Sequence, residues 1–216
     1  MPLLTCFALK EEAAPFQKLA AARPDVAILI VGIGRANAES AARKFLAANS
    51  PELVLTCGFA GGLDPDLKLG DVVFAPPDSA LRAPYSALPA KLLAAGAKLV
   101  KFFCADRIAT TAAEKKKLRA ETGSDAVEME SAAIQAVCRE RGVACLTVRV
   151  ISDPANEDLP LDFNALAKPD KSLDFAKLAW AVASSPGKVG ALLELQRKTQ
   201  FAARELAGVL EKIISP

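Results

Sequence analysis

Short apolar segments alternate with longer segments of helical periodicity along most of the chain. The apolar segments are rich in Val, Leu and Ile and show no alternation of apolar and polar positions, which indicates strands buried on both faces. They lie at Leu3–Leu9, Val26–Val31, Leu53–Cys57, Val72–Ala75, Leu99–Cys104, Ala126–Glu128 and Cys145–Ile151. This order predicts an α/β fold with a central mixed, largely parallel sheet flanked by helices.

Between the apolar segments, hydrophobic residues recur with the spacing of an amphipathic helix. A glycine directly follows three of the predicted helices, at Gly96, Gly123 and Gly142, where a left-handed helix end favours this residue. Thr111 and Glu114 have the spacing of a capping box at a helix start. The helices are predicted at Glu12–Ala22, Arg35–Ala48, Leu88–Ala95, Ala112–Thr122 and Glu130–Arg141.

The sequence changes character after Asp153. Prolines interrupt a polar stretch, and two further helices are predicted, at Leu173–Ser184 and Lys188–Ile214. Because no strand is predicted there, we expect residues 155–216 to form a mostly helical extension of the same domain. All 216 residues are therefore expected to form a single domain.

Composition excludes several kinds of chemistry and of partner. The chain has no histidine, so Ser–His–Asp hydrolysis, histidine bases and histidine metal sites are excluded, and carboxylates, Lys, Tyr or Cys must move protons. The net charge of +2 gives no reason to expect nucleic acid or an anionic membrane as a partner. Five cysteines without a CxxC spacing are typical of buried free thiols, not of disulfides or a zinc site.

Nothing in the sequence predicts export or membrane insertion. The first residues lack the basic start and the apolar run of a signal peptide, and no apolar segment approaches the length of a membrane span. Together with the free thiols, these features predict a cytoplasmic protein without a membrane span.

Charged residues follow several of the predicted strands. Glu12 follows the first strand, Glu128 and Glu130 end another, and Arg149 and Asp153 lie at the end of the last. The carboxyl ends of parallel strands meet at one edge of a sheet, which is where open α/β sheets bind ligands. Each carboxylate alone could be a helix-start acid or a solvated loop charge, although Glu128 and Asp153 end apolar strands. We expect these side chains to share one site.

Two glycine-rich segments border the same edge. Gly32–Asn37 resembles a dinucleotide-binding fingerprint, but its third glycine is absent and no acid ends the next strand, so a tight turn into a helix is the simpler interpretation. Gly58–Leu63 indicates backbone that closely approaches a ligand or another strand. The basic run Lys115–Arg119 is interpreted as a solvated helix face.

Several segments resemble, in family order, the nucleoside phosphorylase superfamily, especially the methylthioadenosine/S-adenosylhomocysteine nucleosidases and the hopanoid-associated phosphorylases. The resemblance covers about residues 1–155, and the extension is more similar to the hopanoid-associated branch. It implies a nucleoside phosphorylase-like fold and cleavage of a purine N-glycosidic bond without metal or organic cofactor. The segments are Ala8–Glu12, Gly32–Gly34, Cys57–Pro65 running into Gly70–Val73, Val127–Ala133 and Val148–Asp153.

The resemblance assigns catalytic roles to three residues. Asp153, beside Ser152, matches the acid that protonates N7 of the leaving purine, and burial at a strand end would raise its pKa. Glu12 matches the carboxylate that activates the attacking water in the nucleosidases. Arg149 lies near Glu12 and is expected to be engaged by neighbouring carboxylates.

The resemblance also assigns substrate contacts, and Ser152 is one of them. Glu130 matches the acceptor for the ribose hydroxyls, Met129 lies under the sugar, and Glu128 matches a second carboxylate on the ribose side. Phe59 and Ile108 mark departures from the family. Phe59 replaces a serine, and Ile108 stands where the nucleosidases stack an aromatic ring on adenine.

These residues favour hydrolysis of a 5′-modified adenosine, of the methylthioadenosine/S-adenosylhomocysteine type, to adenine and the free sugar. Thr56 and Phe59 occupy positions at which phosphorylases bind phosphate. The side chain of Thr56 provides one hydroxyl donor, and that of Phe59 provides none. One alternative is a hopanoid-associated phosphorylase that uses phosphate as its second substrate. The other is a non-catalytic nucleoside-binding or storage protein. The resemblance further predicts a homodimer or a larger homo-oligomer.

Overall fold

The computed structural model describes residues 2–77, 81, 85–166, 168, 187 and 189–214. Its strands are β1 (Leu3–Phe7), β2 (Val26–Ile30), β3 (Leu53–Gly62), β4 (Val72–Phe74), β5 (Lys98–Leu99), β6 (Phe102–Cys104), β7 (Ala126–Glu128) and β8 (Ala144–Asp153). Its helices are α1 (Lys10–Leu19), α2 (Arg35–Ala48), α3 (Leu88–Ala94), α4 (Ala112–Thr122), α5 (Ser131–Glu140) and α6 (Val189–Ile214), with a 3₁₀ turn at Tyr85–Ala87.

The strands form one 8-stranded mixed sheet in the order β2-β1-β3-β8-β4-β5. The strands β2, β1, β3 and β8 run parallel, and β4 is antiparallel to β8. A branch leaves this path where the glycine-rich end of β3 pairs antiparallel with β7, which in turn pairs with β6. The predicted fold class, a mixed and largely parallel sheet flanked by helices, is confirmed.

Two hydrophobic clusters cover the faces of the sheet. One cluster joins β1, β3, β4 and β8 to α1, α3 and α6 and includes Phe7, Phe16, Leu55, Val148 and Leu206. The other joins the opposite face to α2 and α5 and includes Leu4, Val54, Leu46, Ile134 and Val137. The middle strands β1, β3 and β8 are buried on both faces, as predicted. The strands β2 and β6 are half-buried and β5 is exposed, so the same prediction is wrong for these three.

The helix ends follow the local signals in the sequence. The bounds of α2 and α4 are those predicted, and α1 begins two residues earlier and ends three earlier than predicted. Thr111 and Glu114 form the predicted capping box. Gly96, Gly123 and Gly142 have φ angles of 90°, 61° and 66°, which confirms their left-handed conformation at helix ends.

Two strand predictions need correction. The predicted strand Leu99–Cys104 is two strands, because Val100 N–H donates to Phe74 of the main path whereas Lys101 N–H donates to the Asp125 carboxylate beside the branch. The predicted strand Leu53–Cys57 continues to Gly62, because its glycines pair with β8 and β7 instead of forming a turn.

The described part of the C-terminal extension includes α6, which packs against α1, β8 and α3. Its second half buries one face in the cluster that contains Phe16, with Ala202, Leu206, Leu210 and Ile213 inside. The predicted helix Leu173–Ser184 lies outside the described residues. Over the part of the chain that is described, no helix is long and apolar enough to cross a membrane. All five cysteines are free, and four of them are buried.

Candidate functional site

Glu12 lies in the first turn of α1, directly beyond the end of β1. Its carboxylate is buried and accepts hydrogen bonds from the backbone N–H groups of Leu9 and Phe59, both at 2.9 Å. Burial raises its pKa from 4.5 to about 7, although the Phe59 N–H and the charge of Arg149 oppose the rise. A carboxylate with this pKa can accept a proton near neutral pH.

Gly58 allows Glu12 to approach Arg149. A Cβ atom on Gly58 would lie 2.8 Å from Arg149 Nη1 and 2.9 Å from both carboxylate oxygens of Glu12. The φ angle of Gly58 is +137°, which side-chain-bearing residues rarely adopt. The predicted close approach at this strand exit is therefore confirmed, and its neighbours are two charged side chains.

Arg149 is almost fully buried at the centre of this charge cluster. Its Nη2 lies 2.7 Å from the Glu128 carboxylate, and its Nη1 lies 3.4 Å from that of Glu130. Nη1 also donates to the Cys57 carbonyl and Nη2 to the Thr56 hydroxyl. The prediction that carboxylates engage Arg149 is confirmed. Burial alone would lower the pKa of Arg149, but the surrounding carboxylates raise it.

Glu128 and Glu130 lie in the chain just before the start of α5. Glu128, the last residue of β7, accepts hydrogen bonds from the N–H groups of Glu130 and Ser131 and from the Ser131 hydroxyl. Burial opposes its ionisation, but Arg149 and Ser131 outweigh burial and lower its pKa. Glu130 caps α5 and accepts a hydrogen bond of 2.8 Å from Gly34 N–H. Burial raises the pKa of Glu130, against the effect of Arg149.

Asp153 ends β8, and its carboxylate has two side-chain partners. Oδ1 lies 2.6 Å from the hydroxyl of Ser152, and Oδ2 lies 2.6 Å from Nζ of Lys115. Burial raises the pKa of Asp153, as predicted, and Lys115 opposes the rise. Gly61 gives the carboxylate its space, because a Cβ atom there would lie 3.2 Å from Oδ2.

The remaining predicted contact residues border the cluster in different ways. Met129, which lies between Glu128 and Glu130 in the sequence, is buried. Phe59 gives its N–H to Glu12, while its half-buried ring packs against the hydrophobic cluster on the α1 and α6 face. Ile108 is half-buried, and its N–H and C=O groups both bond to the side-chain amide of Asn164, at 2.9 Å each.

The interpretation of the basic run as a solvated helix face is wrong for its first residue. Lys115 is fully buried, whereas Lys116 and Lys117 are exposed. Lys115 lies one turn before Leu118, which is packed against a hydrophobic cluster, and so shares the inward face of α4. That spacing could have predicted that Lys115 is buried. No sequence signal predicts the contact between Asn164 and Ile108, because it depends on the path of the chain after Asp153.

Among the residues that the structure describes, neither a metal site nor the surface cavity beside β6 coincides with this cluster. Within the described ranges, no three His, Cys, Asp or Glu side chains are arranged to hold a metal ion. A cavity of about 570 Å³ is bordered by Phe102, Cys104, Ser131, Thr147 and others, but by none of the predicted catalytic residues. We therefore define the candidate site by its buried charged side chains, not by the cavity.

Comparison with known proteins adds the family. A sequence model described as Phosphorylase superfamily matches residues 14–86 and 74–184. The chain belongs to this superfamily. A superfamily relative, the 5'-methylthioadenosine/S-adenosylhomocysteine nucleosidase of Shewanella halifaxensis, is 30% identical over 173 residues, which cover 65% of this chain and 73% of the relative. The nucleosidase of the same name from Marinomonas is 30% identical over 172 residues, or 67% of this chain and 74% of the relative.

Solved structures confirm the superfamily fold. The Helicobacter pylori 5'-methylthioadenosine/S-adenosylhomocysteine nucleosidase, in complex with butyl-thio-DADMe-Immucillin-A, matches with a TM-score of 0.72 and 20% identity, over 99% of this chain and 98% of that one. The Helicobacter pylori futalosine hydrolase matches with a TM-score of 0.71 and 20% identity, over 99% and 97% of the two chains. The resemblance to the superfamily and its nucleosidases, inferred from the sequence, is confirmed.

Proposed function

We propose that this chain is an enzyme that hydrolyses the N-glycosidic bond of a 5′-modified adenosine, releasing adenine and the free sugar. The superfamily supports N-glycosidic cleavage, and relatives at 30% identity are nucleosidases. The observation that carries hydrolysis is the composition of the charge cluster, in which three buried carboxylates surround one arginine.

The leaving base is activated at one end of the site. Asp153 donates its proton to N7 of the purine as the bond between C1′ and N9 breaks, so that the base leaves neutral. Burial raises the pKa of this carboxyl, which favours the protonated form that can donate. Ser152 contacts the carboxyl group, and Ile108 is the proposed contact on the base side.

The ribose develops positive charge as the base departs. Glu130, held by Gly34 N–H, is the proposed acceptor for the ribose hydroxyls, with Glu128 behind it and Met129 against the sugar. Their attraction to the sugar increases as its positive charge grows, so this contact favours the transition state over the bound substrate.

Water attacks C1′, and Glu12 takes its proton. The carboxylate of Glu12 has a pKa of about 7, which matches a general base at neutral pH. The proton gained by Glu12 and the one given up by Asp153 are exchanged with solvent, so that the net reaction consumes one water. Phe59 remains the proposed substrate contact beside Glu12.

Phosphate fits this site poorly. A phosphate dianion needs several donors once it leaves water. The terminal nitrogens of Arg149 contact Glu128, Glu130, Thr56 and the Cys57 carbonyl. Of the three guanidinium nitrogens of Arg149, only Nε has no hydrogen-bond partner among the described residues. The ionised carboxylates nearby would also repel an anion.

The test is cleavage of 5′-methylthioadenosine, S-adenosylhomocysteine, adenosine and inosine, each with and without phosphate. We expect adenine release from a 5′-modified adenosine at the same rate in both buffers, and ¹⁸O from labelled water at C1 of the sugar. Glu12→Gln should abolish release, whereas Glu11→Gln, an exposed neighbour on the same helix turn, should not. A sugar 1-phosphate product would favour the hopanoid-type phosphorylase, and binding without cleavage would favour a storage protein.

We also propose that the protein is cytoplasmic, that its 216 residues form a single domain, and that it is a homodimer or larger homo-oligomer. The first proposal is supported by the free thiols and the last by the superfamily resemblance. A single denaturation transition and a light-scattering mass of two or more chains are the expected results.

A further inference from the structure

Lys115 projects from α4 into the interior beside Asp153, and its side chain is fully buried. Its ammonium group contacts Asp153 Oδ2 at 2.6 Å and donates to the backbone carbonyls of Pro154 and Glu157, each at 2.9 Å. An ammonium has three N–H donors, so these acceptors use all of them. The group therefore has one defined position, fixed by three partners.

The arrangement distinguishes the two oxygens of the Asp153 carboxylate. Oδ2 is held by Lys115, so a proton on this carboxyl belongs on Oδ1. The hydroxyl of Ser152 lies 2.6 Å from Oδ1 and 3.4 Å from the Ala60 carbonyl. The Ser152 hydroxyl has one hydrogen, which it donates to Oδ1 when the acid is ionised and can donate to the Ala60 carbonyl when Oδ1 is protonated, so that the proton on Oδ1 remains available to the leaving base. The surroundings thus accommodate the neutral acid with its proton on one oxygen.

The same ammonium fixes the chain that follows the acid. Its bonds to the carbonyls of Pro154 and Glu157 close the turn after β8 against α4. The negative charge of Glu157 raises the pKa of Asp153, and the Glu157 carboxylate is itself paired at 2.6 Å with Lys198 of α6. The charged groups facing Asp153 are thus Lys115 from α4 and Glu157 from the turn, with Lys198 of α6 behind the latter.

Burying an ammonium ion costs several kcal/mol unless it is fully paired, and an apolar side chain is often at least as stabilising at such a position. Stability alone therefore does not explain a lysine here. We propose that Lys115 is the positioning residue of the general acid: it holds Oδ2 of Asp153 and the following turn, so that Oδ1 presents the proton to the leaving base. This inference rests on the proposed role of Asp153 in N-glycosidic cleavage.

The decisive experiment is a double-mutant cycle on kcat for the cleaved nucleoside, with Lys115→Met, Asp153→Asn and the double variant. Loss of a general acid lowers a rate by about 100- to 10,000-fold, and we expect each single variant to fall by at least about 100-fold. In the Asp153→Asn background, Lys115→Met should cost less than about threefold more, because it acts through the missing acid. Lys116→Met, exposed on the same helix, is the matched control and should retain wild-type kcat.

The pH profile gives a second readout. The positive charge of Lys115 lowers the pKa of Asp153, so its removal should move the alkaline limb of the kcat profile to higher pH. Lys115→Arg keeps the charge but changes the geometry, so it should lower kcat and leave this limb in place. If Lys115→Met does not fold, the cycle is run with Lys115→Arg.

The outcomes separate the two proposals. If Asp153→Asn retains near wild-type kcat, the assigned acid is wrong and the role of Lys115 is overturned with it. If Asp153→Asn loses activity but the effect of the Lys115 variant is additive to it, only the inference about Lys115 is overturned. Equal alkaline limbs in Lys115→Met and the wild type would overturn it as well.

Discussion

The buried carboxylate of Glu12 should make the protein less stable as the pH rises, and Glu12→Gln should remove that dependence. The folded protein holds this proton with a pKa of about 7, whereas the unfolded chain releases it at 4.5. The folded state therefore binds the proton more tightly, and the stabilisation from the protonated carboxyl is present below 4.5 and lost as the pH rises through 7.

The size of the effect follows from the two pKa values. Over the full range, a difference of about 2.5 pKa units corresponds to about 3 kcal/mol. Between pH 5 and pH 8 the linkage relation gives a loss of about 2.5 kcal/mol, since part of the change lies below pH 5. That is a large fraction of the stability of a typical domain.

The assay is urea denaturation of the wild type, Glu12→Gln and the exposed control Glu11→Gln at pH 5 and pH 8. Other groups titrate in this range, so the informative quantity is the change with pH in the difference between each variant and the wild type. We expect Glu12→Gln to gain about 2.5 kcal/mol relative to the wild type from pH 5 to pH 8, and Glu11→Gln to gain nothing. An equal difference at both pH values would refute a raised pKa for Glu12.

Three further predictions concern turnover and the space that Gly58 leaves for its charged neighbours. Asp153→Asn should lower kcat by about 100- to 10,000-fold while circular dichroism shows a retained fold, and near wild-type kcat would contradict the acid role. Glu130→Gln should lower kcat more than it raises KM, and 2′- or 3′-deoxy substrates should react slowly with the wild type; equal rates for ribo and deoxy substrates would contradict the assignment. Gly58→Ala places a Cβ atom 2.8 Å from Arg149 Nη1, so it should abolish turnover and lower stability by about 1–3 kcal/mol. The control is Gly142→Ala, which is also at positive φ but has no atom within 4 Å of the added Cβ. It should lower stability without affecting kcat.

Local signals predicted the elements of the fold more accurately than their pairing. The helix Arg35–Ala48 and the capping box at Thr111 follow from residues a few positions apart, and both agree with the structure. The division of Leu99–Cys104 into two strands depends on partners distant in sequence, Phe74 and Asp125. Apolar periodicity contains no information about such partners.

The candidate site was predicted in part for a similar reason. Glu12, Arg149 and Asp153 follow apolar strands, and parallel strands bring their carboxyl ends together at one edge. Lys115 comes from a helix outside this edge, in a run of exposed lysines that is typical of a solvated face. Its spacing to Leu118 is the one local signal of burial, and its partners become visible only in the packing of α4 against the turn after β8.

The strand β8 positions two charged residues of the candidate site, Arg149 and Asp153. Arg149 pairs in register with Gly58, whereas Asp153 pairs with Gly61 beyond a break in the register, at which Ser152 has no partner in β3. The break in register thus lies between the proposed acid, which is paired with Lys115, and Arg149, which is paired with Glu128. A one-residue slip of β8 against β3 would turn Arg149 away from Glu128 and Glu130. Because strand pairing fixes Arg149 and Asp153, changes in the surrounding loops can alter which 5′ group is accepted while these two residues stay in place.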